Sequence, residues 1–258
     1  MPGAAGNIAG NQTAKAPPDG YTIGMLAGSG IVVNPSLYKK LPYDPERDLM
    51  PVTQFFGFPS MLLVNNEVPA RSVQELVELL KEKPARYVYG HYGIGTSPHL
   101  AMELFKTMAH VQIQGIAYRN VSQVATDTMN GDIPISFGPP GPLLPFVWAQ
   151  KIRALAVSSK TRAPFASELP TMEELGYRPF DINSWYGVFL PAKTPLPIVD
   201  ALNAAVVSIM KTPGVQKKLL DIGTIPMTQT PSEFAALIKN EKQFWAGVIK
   251  DAGVEPVE

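Results

Sequence analysis

Short β-prone runs alternate along the chain with helices that declare themselves at their first residues, and this alternation restricts the fold more than any motif does. The runs predict strands at Tyr21–Ala27, Val52–Phe56, Met61–Val64, Tyr87–Gly90, Ile113–Tyr118, Ile133–Phe137, Arg153–Val157 and Gly187–Leu190. Between them lie apolar stripes at helical spacing. Ser72 with Glu75 forms a capping box ahead of Val73, Leu76, Val77 and Leu80, and Pro84 stops that helix. Ser97–Pro98 reads as N-cap and first helical position, with Leu100, Leu104, Phe105 and Met108 facing inward. Thr194–Pro195 starts a helix through Ile198, Val199, Leu202, Val206 and Ile209, and Thr230–Pro231 with Glu233 starts the last. Each has one apolar and one polar face, as helices covering a sheet require. Strands alternating with such helices predict an α/β chain of parallel sheets with crossover helices.

Two apolar segments, Phe58–Val64 and Trp185–Pro191, look like crossings between lobes. Residues 65–186 then form one lobe, and 1–64 with 187–258 form the other. A discontinuous first lobe with a continuous second is the layout of type II periplasmic binding proteins, a two-lobed Venus flytrap that hinges at its crossings.

Composition removes several classes of function. The 22 basic and 22 acidic residues balance without a like-charge run, which argues against nucleic acid or an anionic membrane as partner. Cysteine is absent, so thiolate metal sites are excluded, and no two of the 3 histidines are spaced i, i+4; no metal or cofactor is expected. No stretch reaches the ~20 apolar residues of a membrane span. The opening MPGAAGNIAG lacks the basic start and apolar run of a signal peptide, which points to the cytoplasm if Met1 is the true start. A nucleophile elbow, a dinucleotide fingerprint and a Walker loop are all missing.

The strongest local chemistry is Gly95-Thr96-Ser97-Pro98-His99. A helix N-terminus offers unpaired N–H groups and a positive dipole end, enough to hold a carboxylate without a cationic side chain. Thr96 and Ser97 add hydroxyls, and glycine lets backbone approach a ligand. Ser97 equally suits a plain helix cap. Tyr118 and Arg119 close a strand, where ligands of open α/β sheets collect, although Arg119 equally suits a solvated surface charge.

Longer stretches resemble a family. Ala16–Thr22 (APPDGYT), Asn34–Pro45 (NPSLYKKLPYDP), Gly95–Leu100 (GTSPHL), Lys151–Val157 (KIRALAV), Glu168–Thr171 (ELPT), Ser184–Gly187 (SWYG) and Thr230–Phe234 (TPSEF) are similar, in order and spacing, to the extracytoplasmic solute receptors of tripartite tricarboxylate transporters, the Bug or TctC-like proteins. The resemblance implies a periplasmic receptor that clamps a small organic acid between its lobes and delivers it to membrane permease subunits. It adds Ser29 and Gly30 from the first lobe, and Phe137, Gly138 and Trp185, to the candidate ligand contacts. Family members usually begin with a strand, a Pro-Gly-rich loop and a long helix that precede the match, so the first lobe is expected to be shortened at its N-terminus, with an exposed sheet edge that favours a homodimer. Gly138-Pro139-Pro140-Gly141 stands where relatives often carry Asp-Asn, which disfavours an amino acid as ligand and leaves a mono- or dicarboxylate, possibly aromatic. The competing expectation is a cytoplasmic enzyme or sensor that reuses the fold, with Ser97 and His99 as its reactive pair.

Overall fold

The computed structural model describes residues 6–84 and 86–257. In chain order its elements are α1 (Asn7–Lys15), β1 (Gly24–Ala27), a π-helical turn (Ser29–Val33), α2 (Asn34–Leu37), α3 (Pro45–Asp48), β2 (Leu49–Pro59), β3 (Met61–Asn65), α4 (Val73–Glu82) and β4 (Val88–His91). There follow α5 (Ser97–Ala109), β5 (Gln114–Ala117), α6 (Val121–Asn130), β6 (Ile135–Gly138), α7 (Pro140–Trp148) and β7 (Ile152–Val157). The chain closes with β8 (Asn183–Pro191), α8 (Leu196–Met210), α9 (Pro213–Asp221), β9 (Ile225–Pro226) and α10 (Pro231–Asp251).

The chain divides into two compact units. The first comprises residues up to Gly57, Ser184–Leu220 and Ile225 onward; the second comprises Phe58–Asn183 with Asp221–Thr224. Met61–Val64, expected at the end of the first lobe, lies inside the second unit because β3 pairs there with β6 on one side and β7 on the other. All five of its residues are buried, as a strand covered on both faces requires.

The first unit holds a four-stranded sheet in the order β1-β8-β2-β9, with β1 antiparallel to β8 and β2 antiparallel to β9. One face packs Val52, Val188 and Leu190 against Val199 of α8. On the other face Phe189 and Trp185 meet Phe234 of α10. The second unit holds a five-stranded sheet in the order β5-β4-β6-β3-β7. Its core packs Met61, Leu63 and Val157 against Ala125 of α6 and Leu143 and Leu144 of α7.

Both sheets are therefore mixed, not wholly parallel. Hydrophobic period reports that a run is a strand but not its direction, and β3 runs against the helix-connected strands on either side of it. The capping signals transfer in part. Thr230 and Glu233 form the reciprocal box. Ser72 accepts from the Glu75 amide, but the Glu75 carboxylate reaches Arg71 N instead. Thr194 turns its hydroxyl to Pro191 O, and α8 starts after Pro195 without a side-chain cap.

Candidate functional site

In the second unit β4 runs parallel to β5 and β6, and β3 runs antiparallel to both β6 and β7, so the carboxyl ends of β4, β5, β6 and β7 share one edge. Tyr118 N donates to His91 O at 2.8 Å and ties two of those ends together. Ligands of open α/β sheets collect at such an edge.

From β4 the chain turns through Tyr92–Thr96 into α5. Gly93 (φ 150) and Gly95 (φ 80) adopt backbone conformations that L side chains rarely reach. Thr96 closes the turn, its hydroxyl donating to Gly93 O at 2.8 Å and its amide reaching the same oxygen at 3.3 Å. Thr96, not Ser97, occupies the N-cap position, and it makes no side-chain cap bond. Ser97 is thus the first helical residue, and its hydroxyl has no partner among the described residues. The amides of Ser97 and His99 lie in the first helical turn, where no intrahelical acceptor exists, and Pro98 brings no N–H between them. A 13-residue helix thus presents two free donors and a hydroxyl at the positive end of its dipole.

Two buried imidazoles hold this turn from behind. His91 Nδ1 accepts from Gly93 N at 3.4 Å, and His99 Nδ1 accepts from Gly95 N at 3.4 Å. An imidazole that accepts at Nδ1 carries its proton on Nε2. The rings lie 4.7 Å apart between centroids. Burial, then the proximity of His91, pushes His99 down to about 4; burial also lowers His91. Both are neutral at pH 7. Glu103 stands four residues beyond His99, accepting a short hydrogen bond from Tyr89 and held by Lys106 at 2.7 Å.

The remaining sequence candidates are placed differently. A Cβ on Gly90 would meet Tyr118, Val124 and Ile133, so Tyr118 lies on the α6 face of the sheet. Strand alternation puts Tyr89 and His91 on the opposite, α5 face. The Tyr118 hydroxyl, raised to about 12 by burial and then by its hydrogen bond to Asp127, is therefore not brought beside His99. Arg119 is exposed, its amide bonded to Gln123 and its guanidinium without a partner among the described residues. Phe137 is buried and stacks on Phe180. A Cβ at Gly138 would lie 2.2 Å from Leu143 Cδ1, so an acidic side chain there would displace α7 packing.

Ser29, Gly30 and Trp185 belong to the first unit. Ser29 and Gly30 open the π-helical turn directly after β1, and Gly30 O accepts from the Tyr43 hydroxyl at 3.4 Å. Trp185 is 2% exposed, donates its indole N–H to Glu241 at 2.8 Å and packs over Gly28. Sequence reasoning passed over Tyr89, His91, Glu103 and Lys106 as one group. The signal was present: positions 89 and 91 share a strand face, and 99, 103 and 106 share a helix face.

Residues 1–254 match the model of the tripartite tricarboxylate transporter family receptor. The chain belongs to this family. A Pseudomonas sp. (strain P51) relative, the UPF0065 protein in the tcbD-tcbE intergenic region, is 32% identical over 248 residues, covering 96% of this chain and 74% of the relative. Among solved structures, Rpa4515 of R. palustris with adipate has 33% identity and a TM-score of 0.90, covering 99% of this chain and 85% of that one. Periplasmic binding protein BugD has 28% identity and a TM-score of 0.86 over 99% and 86% of the two chains. MatC of Rhodopseudomonas palustris with bound malate has 26% identity and a TM-score of 0.83 over 96% and 86%. The fold is that of the TctC and Bug solute receptors.

Proposed function

We propose that this TctC-family receptor binds a small organic acid without an amine, with one carboxylate at the Gly93–His99 turn, and delivers it from the periplasm to permease subunits of a tripartite transporter. The observation that carries this reading is the pair of free amides and the free Ser97 hydroxyl at the start of α5, on the carboxyl edge of the sheet. Neutral donors satisfy a carboxylate without burying a second charge. The solved relatives that carry adipate and malate bind dicarboxylates, which favours that class within the proposal. Gly138 cannot offer an ammonium group the anionic partner an amino acid would need.

An enzyme built on Ser97 and His99 is the weaker reading. His99 has Nδ1 taken by Gly95, holds its proton poorly near neutral pH, and has Glu103 already bound to Lys106 and Tyr89. Calorimetric titration with adipate, malate, benzoate, aspartate and glutamate tests the proposal. Binding of the simple acids is the expected result; tight binding of aspartate or glutamate alone, or turnover abolished by Ser97→Ala, would overturn it. The proposal extends to a homodimer through β1, an edge strand whose Met25 is 63% exposed, and light scattering across a concentration series checks that.

A further inference from the structure

We propose that His91 and His99 are positioning residues for the carboxylate turn: their neutral imidazoles clasp it at both ends, and proton uptake by the pair releases the turn and its ligand. The inference rests on the functional reading above and deepens it by giving the site a means of release.

The geometry is paired. His91 reaches forward two residues to Gly93 N, and His99 reaches back four to Gly95 N, each through Nδ1. The two glycines so held are the ones with positive φ, the least self-restrained residues of the turn. Among the described residues neither amide meets another acceptor. A proton on His99 Nδ1 turns an acceptor into a donor that faces an N–H, so that bond is lost outright, whereas the Gly93 backbone favours charged His91 and its bond rearranges instead. Stacking at 4.7 Å couples the two sites, because a cation on one ring opposes a cation on the other.

The surrounding charges are few. From β4, Tyr89 lies 5.8 Å from His91 between ring centroids. From α5, Glu103 favours the charged form of both imidazoles and Lys106 opposes it at His99, while the two are paired with each other. β6, which packs on α5, brings only Ile135, Ser136, Phe137 and Gly138 and no titratable side chain. Burial lowers both histidines, so the clasp holds at neutral pH and opens only on strong acidification.

The test separates an acceptor from a titrating group. Asparagine places its side-chain oxygen near the Nδ1 position but does not titrate; glutamine carries its amide out toward Nε2. Adipate and malate affinities are measured from pH 7 to 3.5 for the wild type, H91N/H99N and H91Q/H99Q, alongside 15N spectra of the Gly93 and Gly95 amides without ligand. We expect wild-type affinity to fall about threefold or more at the acid end of this range beyond the loss in H91N/H99N, which carries any effect of the acid's own protonation. At pH 7, H91N/H99N should bind within about threefold of wild type and H91Q/H99Q at least tenfold more weakly. The wild-type glycine amides should move together with a midpoint below the ordinary histidine value. Glycine amides that stay fixed from pH 7 to 4, or equal losses in the two double variants, would overturn the clasp while leaving carboxylate binding intact. Amides that titrate in a protein binding neither acid would support the clasp and overturn the functional reading instead.

Discussion

Two strand-end turns of similar composition, Gly28-Ser29-Gly30 after β1 and Gly93-Ile94-Gly95 after β4, use glycine for different reasons. At Gly28 the backbone is ordinary right-handed helix, and glycine is needed because a Cβ would lie 2.5 Å from the Trp185 indole. At Gly95 the backbone itself, at φ 80, demands glycine. One turn is fixed by the packing of a large ring against it. The other is fixed by hydrogen bonds to side chains that can change protonation state. Glycine in a strand-end turn thus does not by itself mark a ligand site; what holds the turn decides whether it can open.

The largest effect should come from removing the packing that fixes the first turn. Trp185→Ala deletes a buried ring from the first unit, together with its bond to Glu241, and should cost about 3–5 kcal/mol in chemical denaturation. The Gly93 and Gly95 amide resonances should remain at their wild-type positions. Their displacement would break the comparison by showing that the second turn also depends on the first unit's packing.

Acid should act in the opposite sense. All three histidines, His91, His99 and His110, lie in the second unit. His99 is held at about 4 in the folded chain against an ordinary value of 6.5, so between those values the unfolded chain binds a proton that the folded chain refuses. Stability is full above pH 6.5, is lost as pH falls toward 4, and is flat in this respect below; the shift corresponds to roughly 3 kcal/mol. Urea denaturation across this range should show the loss, and H91N/H99N should flatten it. A wild-type profile no steeper than that of the double variant would mean that the imidazoles take up protons as readily in the folded chain as in the unfolded one.

The next effect separates the two demands for glycine. Gly28→Ala forces the Trp185 ring aside, at a cost of about 1–3 kcal/mol for overpacking. Gly95→Ala strains the positive φ, at a cost of about 1–2 kcal/mol, and should weaken adipate binding at least tenfold because the turn changes shape. Denaturation and titration of both variants check this. Equal losses of affinity would place the ligand's dependence on packing and not on turn conformation.

The contrast also explains how much of the molecule was legible. Helix starts were legible where a polar cap and an acidic third residue coincide, as at Thr230 and Glu233. The helix α7 was not, because Pro139-Pro140-Gly141 and Pro145 look like breakers; Pro140 in fact occupies the first turn, where its missing N–H costs nothing. Strand direction is invisible to hydrophobic period, which is why mixed sheets stood where parallel ones were expected. At the site, the anion-holding turn itself was legible from Gly95, Thr96 and Ser97. What holds the turn was not, since His91 and His99 meet only when β4 and α5 pack, and a histidine in sequence does not reveal which nitrogen it offers.

The smallest effect is the most specific. The Ser97 hydroxyl makes no hydrogen bond among the described residues and Ser97 is not the N-cap, so Ser97→Ala should leave stability nearly unchanged. Removing one donor to a charged carboxylate costs at least about 1.5 kcal/mol, so Ser97→Ala should weaken adipate or malate binding about tenfold. Thr96→Ala should differ, since the Thr96 hydroxyl bonds Gly93 O and supports the turn; it should lower stability as well as affinity. Thermal denaturation and calorimetry on the pair separate the contact from the support. Ser29→Ala at the matching place in the first turn completes the set: a loss of affinity equal to that of Ser97→Ala would give both turns a hand on the ligand and break the asymmetry between them.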